Sequence, residues 1–185
     1  MKEVEMIIGV IGTIASGKDS VANYFVKKYK FKKIIMSNFL REVAEDRGLS
    51  VKRENLYRVQ SNLRKTYGEE VLINMAITKI IEENWKNVVI SGLRTVTDVS
   101  IARKKLKAKI ILVDANPELR FKRQRKRRRT GFSENYEEFL HGEAIENASF
   151  DFHKTKKLAH FKIDNDQEYP QLHKKCEAIA KKLKL

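Results

Sequence analysis

Cysteine is nearly missing from this chain: Cys176 is the only one among 185 residues. No internal disulfide is therefore available, and the thiol falls in a helical stretch with no base near it in sequence, where a packed or surface thiol is expected. Proline occurs twice. With 42% hydrophobic residues and no visible linker or repeat, that scarcity points to one domain with a full core. Long apolar runs are missing too. The stretch 6–15 is too short to cross a bilayer, and it runs into a glycine-bearing loop where a leader peptide would have a cleavage site. The expectation is a cytoplasmic protein with no membrane partner. The four histidines, His141, His153, His160 and His173, show no metal-ligand spacing. Acid is in deficit, with 24 Asp and Glu against 39 Lys and Arg, a formal charge of +15. Such a surplus implies anionic partners, whether nucleotides, coenzymes or nucleic acid. Part of it also matches the lysine- and glutamate-rich make-up of proteins from hot environments.

What is present is a phosphate loop. Gly12-Thr13-Ile14-Ala15-Ser16-Gly17-Lys18-Asp19-Ser20 follows the apolar Met6-Ile7-Ile8-Gly9-Val10-Ile11 and leads into Val21-Ala22-Asn23-Tyr24-Phe25-Val26. Two glycines with four residues between them, then lysine, let successive N–H groups curl inward toward phosphate oxygens, and Lys18 neutralises the outer phosphates. The following helix adds its positive end. ATP or GTP binding over residues 12–20 is the strongest inference from the sequence. Asp19 stands where a serine or threonine is common, and the hydroxyl arrives one place later as Ser20. The usual magnesium ligand therefore cannot simply be copied over, and Asp19 and Ser20 are the candidates for that ion. Asp19 also suits the start of a helix simply as an acid in its first turn.

Apolar runs at 34–36, 87–91, 109–114 and 159–163 read as further strands, alternating with amphipathic helical stretches. Ser37-Asn38 reads as a helix cap, and two helices over 53–67 and 69–83 form an insertion. The expected fold is α/β: a three-layer, doubly wound P-loop NTPase fold with a five-stranded parallel sheet and the first strand central. The expected division is a core of 1–41, 86–120 and 151–185, a helical acceptor-binding insertion over 42–85, and a lid over 121–150.

With the phosphate loop, the strand-end Ser37-Asn38-Phe39-Leu40-Arg41 and the strand-end Ser91-Gly92-Leu93-Arg94-Thr95 in view, the chain resembles the nucleoside monophosphate kinases. More closely, it resembles archaeal P-loop kinases grouped with dephospho-coenzyme A kinase, through Asn62-Leu63-Arg64-Lys65-Thr66-Tyr67-Gly68 and Ile163-Asp164-Asn165-Asp166. The resemblance implies that Ser37, Arg41 and Arg94 bind the acceptor. It also implies that Arg123 and Arg127, four apart at the entry to the lid, clamp ATP and the transferring phosphoryl group. The chain departs from those families in three ways. Ser91 replaces a strand-end aspartate, Ser37 replaces the aspartate of true dephospho-coenzyme A kinases, and Glu143 to Ala148 offers carboxylates where adenylate kinases supply arginines.

Residues 120–129 hold eight cations in ten positions, far more than a helix needs. Apart from Arg123 and Arg127 they read as a solvated basic face, and Thr130-Gly131 as a hinge. The reading from sequence is an ATP- and magnesium-dependent kinase whose acceptor is a small nucleotide or nucleotide-like molecule, most simply a nucleoside monophosphate. The alternatives are a dephospho-coenzyme A kinase or another small-molecule kinase and, from a different class, a nucleic-acid-binding P-loop NTPase.

Overall fold

In the computed structural model, which describes residues 6–126 and 135–185, the sheet is built outward from β1 (Met6–Ile11). Five of its six residues are buried, which places it at the centre of the order β2-β3-β1-β4-β5. The neighbours are β2 (Lys32–Ile35), β3 (Asn87–Ser91), β4 (Lys109–Asp114) and β5 (Phe161–Asp164), every pair parallel. Parallel strands need crossovers, so helices cover both faces. Against one face lie α1 (Lys18–Tyr29) and α9 (Tyr169–Lys182), which pack Phe25, Leu172 and Cys176 on Ile8, Val10, Ile111 and Ile163. The other face carries α2 (Met36–Asp46), α3 (Arg53–Tyr67), α4 (Val71–Glu82), α5 (Val96–Leu106) and α8 (Phe152–Lys156), over Ile7, Ile11, Val88 and Ile90. Alternation along β1 feeds both cores at once. The expected three-layer, doubly wound α/β fold with β1 central is thus the observed one.

The register aligns the strand ends that carry function. Ser91 stands beside Val10 and Ile35, and Asp114 beside Asp164. The segments after β1, β2 and β3 therefore emerge on one carboxyl edge, where open α/β sheets bind ligands. Beyond β4, α6 (Pro117–Lys126) and α7 (Tyr136–Ser149) rise from the same edge.

Some local expectations change. Ser37-Asn38 does not cap α2: the helix begins at Met36 from an extended Ile35, and the Ser37 and Asn38 oxygens instead accept from Arg41 one turn on. The last strand lies at 161–164, since His160 reaches β4 through its backbone and its ring, and regular pairing starts only after it. Arg64, a polar residue of the insertion, is buried and forked onto both oxygens of Asp98 at 3.1 and 2.9 Å. Asp98 in turn completes a capping box with Thr95 at the start of α5. Arg64 is thus a structural bolt between α3 and α5, and removing one partner of such a buried pair costs about 3–5 kcal/mol. Cys176 is fully buried and its thiol is pushed up to about 12 by that burial, an inert packing residue.

Candidate functional site

The loop after β1 is shaped by backbone constraints. Ala15 and Gly17 take left-handed φ values of 57° and 99°, and the Ser16 N–H donates to the Thr13 carbonyl at 3.3 Å. Gly12 cannot carry a side chain, because a Cβ there would lie 2.4 Å from the Val113 carbonyl oxygen and 2.6 Å from Ser16 Oγ. Gly17 meets the same limit against the Asn165 amide, at 2.1 Å. That amide donates to the Ser16 carbonyl at 2.8 Å, while the Asn165 backbone N–H donates to Asp114 at 2.7 Å. The end of β5 therefore props the loop from below. Lys18 opens α1. The hydroxyls of Thr13 and Ser16 are buried and bond no partner among the described residues. A buried donor left without a partner is costly, and an anion seated in the loop would supply one. The cradle therefore fits a phosphate chain.

Asp19 follows Lys18 in the first turn of α1, and its Oδ1 accepts from the Ser91 hydroxyl at the end of β3, at 2.8 Å. The carboxylate belongs to the helix that follows the loop, and the hydroxyl to the end of the strand beside β1. Ser20 turns to Tyr169, with the two hydroxyl oxygens 3.2 Å apart. Among the described residues no three His, Cys, Asp or Glu side chains form a metal cage. A magnesium ion held here would thus share few protein ligands, Asp19 first, and take the rest from phosphate and water.

Two arginines reach the loop from opposite sides, and α7 meets both. Arg120 on α6 is buried; its Nε donates to Ala115, one guanidinium nitrogen lies 3.4 Å from the Ile14 carbonyl of the loop, and both forks hold Glu143 of α7. Arg94, after β3, pairs with Glu146 of α7. Each guanidinium also lies over a ring of the same segment, Arg120 over Phe139 at 5.5 Å and Arg94 over Phe150 at 5.8 Å. The Thr155 hydroxyl fixes the Arg94 carbonyl from α8 at 3.2 Å. Gly12, Thr13, Ile14, Arg94, Glu143 and Glu146 thus close over one small pocket, with Phe150 and Phe152 as its apolar wall.

The expected residues fall unevenly around this pocket. The loop 12–20 and Arg94 are there. Arg41 leaves the end of β2, next to the end of β3, but it donates to Ser37 and Asn38 of its own helix. Arg123 points to the carbonyl of Asn165 at 2.9 Å, bracing the prop beneath the loop. Arg127, the Thr130-Gly131 hinge and part of the 121–150 lid lie outside the described residues. Asp114 faces Lys156 and its own following N–H. Arg120 corrects the reading of the basic run as a solvated face: this cation is turned inward with Gln124, one turn on and also buried. The signal was present, since a lone uncharged glutamine among cations marks the side facing the protein. Asn165 stood within the resemblance stretch 163–166, but with no role attached to it.

A family model described as an AAA domain matches residues 11–141. A UPF0200 protein of Hyperthermus butylicus is 31% identical over 178 residues, covering 96% of this chain and 92% of its own. One from Methanocaldococcus jannaschii is 30% identical over 181 residues, covering 96% and 90%. Among solved structures, TT1252 from Thermus thermophilus superposes with a TM-score of 0.64 at 20% identity, covering 98% of this chain and 99% of that one. A shikimate kinase from Bacteroides thetaiotaomicron gives 0.62 at 16% identity, over 97% and 99%. Those two likenesses place the five-stranded sheet and its helices in the α/β P-loop kinase fold. The loop, its prop and the full-length relatives together make this chain a member of the AAA-domain family of that model and of the UPF0200 group.

Proposed function

We propose that the protein is an ATP-dependent phosphotransferase that moves the γ-phosphoryl group to a small phosphate-bearing acceptor, most simply a nucleoside monophosphate. The observation that carries this reading is the convergence of Arg94 and Arg120 on the mouth of a propped phosphate loop. In-line phosphoryl transfer needs positioning and charge neutralisation more than covalent chemistry, and guanidinium forks match phosphate oxygens two at a time. Lys18 and the loop N–H groups hold the donor phosphates, Arg120 faces the transferring group, and Arg94 with Arg41 aligns the acceptor beyond the strand ends. Magnesium, held by Asp19 and Ser20, would neutralise phosphate charge.

Glu143 and Glu146 then act as stand-ins for phosphate. Each charge-assisted bond contributes about 1.5–3 kcal/mol, so exchanging a carboxylate for a phosphate oxygen is close to balanced. Substrates can therefore enter without an uncompensated buried charge, and α7 can withdraw and return as a lid that excludes water. The fold and the absence of a membrane-length apolar helix among the described residues are consistent with work in the cytoplasm.

The test is ADP release with ATP and a panel of nucleoside monophosphates, dephospho-coenzyme A and sugar alcohols. Stimulation by a monophosphate is expected. A panel on which only non-phosphorylated acceptors respond would remove the acceptor reading and keep phosphotransfer, whereas failure of ATP to bind would remove both.

A further inference from the structure

The phosphate site uses only a few of the 39 cations. A second concentration lies on the face made by α1, β2 and α9. Residues 27–33 carry Lys27, Lys28, Lys30, Lys32 and Lys33 without an acid, and from 169 to 185 five lysines accompany a single acid, Glu177. This face has rings set among its cations. Between α1 and α9 runs an open groove of about 460 Å³ lined by Ser20, Asn23, Tyr24, Lys27, Lys28, Tyr169 and His173. The His173 ring lies 5.2 Å from that of Tyr24 and 6.0 Å from that of Tyr169, and Tyr169 is 65% exposed.

The groove is held in shape from beneath. Glu177 collects Lys28 at 2.6 Å, the Tyr29 hydroxyl at 3.1 Å and the Tyr24 hydroxyl, so α1 and α9 cannot slide apart without breaking three bonds to one carboxylate. Those donors hold the Glu177 carboxyl down at about 2, ionised throughout the physiological range. At the rim, Lys33 donates to Asn23 at 2.7 Å, which brings the lysine belt of β2 to the groove edge.

We propose that this α1–α9 groove binds single-stranded nucleic acid, with bases against Tyr169 and His173 and phosphates along Lys27, Lys28 and the flanking lysines. Rings with exposed π-faces accept any base that is not already stacked, so a single strand is favoured over a duplex. Beyond the groove, at the carboxyl ends of α1 and α9, stand Lys30, Lys32 and Lys33 with Lys181, Lys182 and Lys184, far more than one mononucleotide phosphate requires. A strand running across it would release counterions at each lysine.

The site lies along the side of α1 and shares Ser20, at the groove's end, with the phosphate loop. Its test is fluorescence anisotropy of a labelled single-stranded oligoribonucleotide of about 12 nucleotides, titrated with full-length protein between about 50 and 200 mM salt. Binding should weaken at least about fivefold in Tyr169→Ala, through lost stacking. In the Lys27→Ala, Lys33→Ala double variant the salt slope should fall by about one or more. Lys18→Ala should bind the strand as the wild type does, which separates this proposal from the kinase reading. Unchanged binding in both groove variants overturns the proposal and moves the strand to another basic face. Competition by AMP at equal concentration overturns it as well, making the groove a small-ligand pocket.

Discussion

The phosphate loop and the helix α7 enclose the same pocket but are held by different forces. The loop is fixed by backbone: left-handed residues, two glycines that tolerate no Cβ, and the Asn165 amide beneath. The lid is fixed by charge, through Glu143 on Arg120 and Glu146 on Arg94. Backbone constraints cannot be traded for ligand, whereas carboxylate–guanidinium pairs can. In the proposed function the loop is accordingly a preformed binding element, and α7 an exchangeable one that would leave when phosphate offers the same bonds. Salt should act on the second far more than on the first, since most of the loop's hydrogen bonds are uncharged.

Removing Lys18 should break the comparison at its functional end. Lys18→Ala should lower ATP turnover at least about 100-fold, the scale of losing one preorganised contact to transition-state charge, with an unchanged melting temperature. Full activity would remove the loop from the chemistry.

Asn165→Ala tests whether the loop is held from outside. The loss leaves the Ser16 carbonyl without its side-chain donor, so ATP affinity should weaken about tenfold. Titration calorimetry reads it, and an unchanged affinity would show that the loop holds its shape without the prop.

Arg94→Ala should lower acceptor kcat/KM about tenfold while ATP affinity changes little, because Arg94 belongs to the acceptor side in this reading. Equal losses for ATP and acceptor would assign Arg94 to the donor.

The smallest effect concerns neither element and serves as a pH control. His160 Nδ1 accepts the Ile110 N–H at 2.9 Å, and burial, with Arg103 and Lys109 nearby, holds its pKa below the usual 6.5. A depressed histidine favours the neutral folded form, so its contribution is full above about 6.5 and declines as the pH falls further. Melting should drop modestly between neutral and mildly acid pH, and less so in His160→Asn. A wild-type drop that the variant shares would assign the effect elsewhere.

The unequal legibility of the two elements in the sequence has the same physical origin. Gly12, Gly17 and Lys18 announce a loop because their spacing is itself the mechanism, and the five apolar runs announce the sheet because parallel strands are buried on both faces. The lid carboxylates were visible as residues, but nothing local in α7 says that Glu143 meets Arg120 from 23 positions away. Asn165 likewise acts through a contact 149 positions distant. Arg123 and Arg120 are three apart on one helix, and only packing decides which of them reaches Ile14 and which reaches Asn165. Ser37-Asn38 read as a cap by type, yet the tight β2–α2 junction left the helix to start at Met36.

The exchange of carboxylate for phosphate is tested most directly by titrating ATP with magnesium into the wild type and into the Glu143→Gln, Glu146→Gln double variant. Each substitution keeps the shape of the side chain and removes its charge, leaving Arg120 to pair with the phosphates of ATP and Arg94 with those of the acceptor. The account predicts a double variant that melts lower without nucleotide, binds ATP about tenfold more tightly, and recovers its stability on binding. ATP binding that is unchanged or weaker in the double variant would contradict it.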